Sequence, residues 1–104
     1  MRFRRRPFDD VIERQLDLFE REHADLIAEC ERAEKAYNAA DRDEAEERYG
    51  DYVDLVETGT ETLADLRDAF KWTLDEDTAE TYEEAFNRAV ARRLPRFGLE
   101  IADR

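Results

Sequence analysis

Apolar residues fall along this chain in two stretches whose spacing alternates between four and three. The first runs Ile12, Leu16, Phe19, His23, Leu26, Cys30, Ala33, Tyr37, and the second Ala45, Tyr49, Tyr52, Val56, Gly59, Leu63, Leu66, Phe70. This is the heptad seam of helices that pack lengthwise, as in a coiled coil. The two seams mirror each other about position 41. Tyr37 pairs with Ala45, Cys30 with Tyr52, Leu26 with Val56, His23 with Gly59, Phe19 with Leu63 and Ile12 with Phe70. The midpoint falls in Asn38-Ala39-Ala40-Asp41, where Asp41 can cap a new helix and Glu44 can complete a capping box. The pattern predicts an all-α fold: a long antiparallel hairpin, bundle-like, with helices over about 7–37 and 42–73. The first helix would be roughly 45 Å long at about 1.5 Å per residue.

A third, shorter helix is expected over about 78–94. Asp77 with Glu80 repeats the capping-box pattern, and Tyr82, Phe86, Ala89 and Val90 share one face. Pro95 disfavours helix at Leu94, and Gly98 supports the exit. The tail, with Phe97, Leu99 and Ile101, should tuck its apolar groups against the bundle. The short connection at 73–77 keeps the third helix near the open end of the hairpin, where it would cover Val11, Leu18 and Trp72. The half of the hairpin near its turn is then left bare. Ile27, Tyr37, Tyr49, Tyr52, Val53 and Leu55 lie there, and an uncovered apolar strip usually meets a partner. A second copy of the chain, giving a homodimer of four-helix type, is the simplest occupant.

Residues 1–6 read as a basic, flexible arm and 7–104 as a single helical domain. Pro7 suits the first turn of a helix, and Asp9 and Asp10 complement the positive helix end. The run Arg5-Arg6-Pro7-Phe8 is like the start of a twin-arginine leader, but Asp9, Asp10, Glu13 and Arg14 interrupt any apolar region behind it. No stretch approaches the roughly 18 apolar residues of a membrane span. These features place the chain in the cytoplasm and away from membranes. The corner from Ala36 and Tyr37 to Ala45 and Tyr49 resembles one turn of the helix-turn-helix repeat proteins. No second copy follows at their period of roughly 34 residues, so the resemblance implies a helical corner only.

Charge sharpens the picture. There are 29 Asp and Glu against 17 Lys and Arg, a formal net charge of −12, and the only lysines are Lys35 and Lys71. Such an acid excess suits a high-salt, halophilic cytoplasm, where salt screens the self-repulsion. It disfavours nucleic acid as a partner of the domain body. The arm Arg2, Phe3, Arg4, Arg5, Arg6 carries the opposite charge and could meet phosphate or an acidic surface. A single cysteine rules out an internal disulfide, and its seam position makes Cys30 a buried apolar residue.

The candidate chemistry sits at the middle of the seam. Glu20 and His23, three apart, share a helix face, and Glu57 and Glu61 flank Gly59 at the same height. Di-iron bundles use such Glu-x-x-His sets together with glutamates of neighbouring helices, so these four residues form a candidate metal site. The plainer expectation is a polar core level. In it the His23 ring fills the space beside Gly59 and bonds Thr58, Thr60 or Thr62. A histidine buried there could also act as a pH sensor. Cys30 with His23 lacks the reach and substrate access of a nucleophile–base pair. Asp75-Glu76-Asp77 lacks the later residues of a calcium loop. The function expected from sequence is therefore a non-enzymatic interaction or oligomerisation module without cofactor. The alternatives are a carboxylate–histidine metal protein and an acidic regulator that binds an unknown basic protein.

Overall fold

The structure, a computed structural model, describes residues 6–104, so the expectation for the basic arm lies largely outside the described residues. The fold is all-helical and bundle-like. Its helices are α1 (Asp9–Glu22), α2 (Ala24–Ala39), α3 (Ala45–Lys71), α4 (Glu76–Arg93) and the single turn α5 (Pro95–Gly98), followed by a 3-10 turn at Ile101–Asp103. Among the described residues no helix is long and apolar enough to cross a membrane.

The expected long first helix is two helices. The chain leaves helical geometry at His23, with φ −117° and ψ 30°, and resumes at once in α2. Neither Pro nor Gly marks the break. Its cause lies elsewhere in the chain. The ring of Phe97, from α5, stands over Gly59 of α3 and meets Phe19 of α1 edge-on at 5.8 Å. It occupies space that the mirrored seams assigned to direct contact between two straight helices. Gly59 is required for this approach, since a Cβ there would lie 2.8 Å from Phe97 Cζ.

Below the break α2 packs on α3, as the hairpin pattern predicts, and the rings of Tyr37 and Tyr49 lie 5.3 Å apart. The turn is at the expected place. Ala40 is extended, Asp41 accepts from the Glu44 N–H at 3.2 Å, and α3 begins at Ala45 rather than Arg42. Above the break α1 packs on α4, and its start departs from expectation. Helix begins at Asp9 and not at Pro7, because Phe8 takes a left-handed φ of 71°. That strained backbone places the Phe8 ring against Tyr82 at 5.3 Å and Phe70 at 6.3 Å.

The cap of α4 is Asp75 rather than Asp77. Asp75 accepts from the Thr78 N–H at 2.9 Å. That backbone bond, with a further bond from the Thr78 side chain, holds the Asp75 carboxyl below its usual range. Val11 is partly covered, but Leu18 and Trp72 are exposed, against the expectation that the third helix covers them. The tail divides: Phe97 and Ile101 are buried while Leu99 is 89% exposed.

The half of α3 beyond Gly59 is buried on two sides. One is the predicted seam at Leu63. The other is the stripe Thr60, Ala64, Arg67, spaced four and three, which the apolar pattern did not reveal. Arg67 is 0% exposed. Its Nη1 donates to Asn87 Oδ1 and to the Ile101 carbonyl, both at 3.0 Å, and its Nη2 to the Arg104 carbonyl at 2.6 Å. Its Nε donates to Asp68 Oδ1 at 2.9 Å, and Glu83 lies 3.6 Å from Nη2. A buried guanidinium is tolerable only when so fully paired. One side chain thus ties α3 to α4 and to the last turn.

Two stability measurements check this arrangement. Arg67→Met removes the charge and strands its partners, a loss of roughly 3 kcal/mol by the scale for broken buried pairs. It should lower the urea midpoint and deprotect amides of residues 94–104 in hydrogen exchange, and an unchanged midpoint would refute the role. Tyr82 is buried, donates to Gln15 Oε1 at 2.8 Å, and has its phenol pKa pushed up to about 12, chiefly by burial. The unfolded chain releases this proton from about pH 10, so stability should be full below that pH and fall as pH rises towards 12. Tyr82→Phe should flatten this alkaline loss in a denaturation series.

Candidate functional site

The polar level does not form as expected. The partner of Gly59 is Phe97 and not His23, because α5 reaches the seam first. His23 sits at the helix break, half-buried, with its ring 5.2 Å from Phe19 in a tilted arrangement. A small cleft there is lined by Leu18, Phe19, Glu22, His23, Thr62 and Leu66. The threonines keep their hydroxyls on their own helix. Thr58 donates to the Asp54 carbonyl, Thr60 to Val56 and Thr62 to Thr58, at 2.8–3.0 Å. Each bonds one turn back, the local alternative open to threonine in a helix. Only Thr60 is fully buried.

The four candidate metal ligands are not brought together. Glu20 pairs with Arg93, which also holds Asp17. Glu61 pairs with Arg104 at 3.0 Å. Glu57 lines a groove on another side, with Tyr52, Val56 and Leu99. Among the described residues no group of three or more His, Cys, Asp and Glu is gathered as a metal site. The arginines that take Glu20 and Glu61 come from α4 and the last residue, so the seam alone could not reveal them.

Cys30 is wholly buried. Burial pushes its thiol pKa up, and Glu29, Glu31 and Glu34 add to this while Arg96 opposes it. A raised pKa and an enclosed sulfur are the reverse of what a nucleophile needs.

The tyrosine face is the surface that remains. Of the expected interface residues, Ile27 and Leu55 pack against the core, Ile27 beside the Leu94–Phe97 segment. Tyr49 is 52% exposed and touches the partly exposed Tyr37. Tyr49, Tyr52, Val53 and Val56 of α3 line a groove of about 190 Å³, closed on its far side by Leu99 and Arg96. Arg96 fixes the groove wall. Its Nε donates to the Tyr52 hydroxyl at 3.2 Å, its Nη2 to Glu34 Oε1 at 3.1 Å, and its guanidinium lies 5.9 Å from the Tyr52 ring centre. Sequence reasoning found the tyrosines, but not Leu99, Arg96 or the groove between them. The alternation Phe97, Leu99, Ile101 was the available signal, because on a turn with two residues pointing inward the one between must point out.

The chain matches no protein-family model, no curated protein and no solved structure.

The metal reading has a direct test. Chain loaded with Fe(II) or Zn(II) and then desalted should carry no stoichiometric metal, and one retained ion per chain would revive the Glu20–His23 site.

Proposed function

We propose that this chain is a non-enzymatic interaction module that self-associates through the tyrosine face. The observation that carries the reading is the continuous apolar strip of Tyr37, Tyr49, Tyr52, Val53 and Leu99, centred on a groove with a nearly fully exposed leucine at its lip. Leucine and tyrosine left in water at this density gain free energy on meeting another apolar surface. A second copy brings the same strip, and a two-fold arrangement lets the Leu99 of each protomer enter the groove of the other.

The charge sets the conditions. Each copy carries a formal −12, and Glu57 and Glu100 stand at the groove itself. Two such surfaces repel at low salt, and screening over a Debye length of about 3 Å in molar salt removes most of that repulsion. The module we propose is therefore one that assembles in a salt-rich cytoplasm.

Light scattering at low and molar salt tests both parts. The mass should move from the monomer value of 12.4 kDa towards twice that value as salt is raised. Leu99→Asp, at a position too exposed to matter for folding, should hold the chain monomeric in molar salt. A wild-type chain that stays strictly monomeric in molar salt would overturn the reading.

A further inference from the structure

The opposite end of α3, roughly 40 Å from the hairpin turn at about 1.5 Å per residue, carries a second unfinished surface. Trp72, just past the end of α3, is 78% exposed. It forms one wall of a groove of about 410 Å³ with Leu74, Ala79 and the acidic face of α4, Glu76, Glu80 and Glu83. Two features of this groove are out of balance. A tryptophan is the largest apolar side chain and a frequent anchor of protein interfaces, yet this one faces water. Glu76 and Glu80 lie one turn apart on the same helix, where like charges repel. Glu83 is already engaged by Lys71 at 3.5 Å and Arg67 at 3.6 Å, whereas Glu76 and Glu80 have no cation within ion-pair reach among the described residues. The groove also shows how a cation sits here. Lys71 Nζ lies 5.3 Å from the centre of the Trp72 ring while it pairs with Glu83, an ammonium held between ring face and carboxylate.

We propose that this groove docks a basic amphipathic segment of another protein. The apolar side of that segment covers Trp72, Leu74 and Ala79, and its arginines or lysines meet Glu76 and Glu80. The complementarity is specific to this chemistry. An acidic or neutral segment would leave the two glutamates unpaired and desolvated, and a wholly hydrophilic cation would leave the tryptophan in water. The site is independent of the tyrosine face, so it stands or falls apart from self-association.

Trp72 is the only tryptophan in the chain, so its fluorescence reports the site directly. The full chain is titrated with a synthetic helical peptide that carries leucine on one face and arginine on the other. Saturable binding with a blue shift of emission is expected as the ring leaves water. The double variant Glu76→Gln/Glu80→Gln, altered only at exposed positions, should bind about tenfold more weakly from the loss of two ion pairs. The Leu99→Asp variant should bind as wild type. The proposal is overturned by the absence of a saturable blue shift. It is equally overturned by equal affinity in the Gln variant, by an equal response to a peptide whose leucines are replaced by serine, or by loss of binding in Leu99→Asp.

Discussion

The buried guanidinium of Arg67 is the constraint on which the upper half of this molecule depends. A charge removed from water must be paired on every side or the fold loses more than the burial returns. Arg67 meets that demand with a carboxylate beside it on α3, Glu83 and Asn87 of α4, and two carbonyls of the last turn. These partners come from three parts of the chain far apart in sequence. Satisfying one side chain therefore fixes where α4 lies on α3 and where residues 94–104 run. With that segment held, Pro95 starts the single turn of α5, and Phe97 is delivered over Gly59. The break of the first helix at His23 follows, because the ring takes the space between α1 and α3.

The molecule is therefore uneven along its length. The half near the turn is a two-helix hairpin with little beyond the Leu94–Phe97 segment and Leu99 to cover it. The half beyond Gly59 is a packed bundle. Besides Leu18 of α1, the exposed large apolar groups lie towards the two ends of α3. Tyr37, Tyr49 and Leu99 lie on the hairpin side, and Trp72 lies at the far end of α3. Elsewhere the dense Asp and Glu surface keeps the chain apart from other macromolecules of like charge.

Much of the fold was legible in the residues. The heptad spacing located α3, the turn before it and one helical arm of the hairpin, though not the break that divides that arm into α1 and α2, and Asp41 marked the turn itself. Pro95 marked the stop of α4. The candidate site was legible only in part. Tyr37, Tyr49, Tyr52 and Val53 were expected to lie uncovered, because the third helix is too short to reach them; Tyr37 and Tyr49 are exposed, whereas Tyr52 and Val53 are half-buried and the Tyr52 hydroxyl accepts from Arg96. The pairing of His23 with Gly59 could not be checked at that level. A glycine on a seam announces a close approach but carries no sign of which group approaches. Here the group lies 38 residues further along the chain, in a turn with no heptad of its own.

Local propensity and the period of apolar residues thus determined that the chain is helical, where the turn before α3 and the stop of α4 fall, and much of which face of each helix is apolar, since these depend on neighbours three and four residues apart. The tertiary structure alone decided three further matters. A charged residue, Arg67, became the most connected group of the core. Phe97 displaced His23 from the seam. Glu20 and Glu61 were committed to arginines and not to a common ligand. Each of these is a competition between groups distant in sequence for one volume or one charge. Its outcome depends on which of them the folded backbone brings within reach, which no spacing along the chain records.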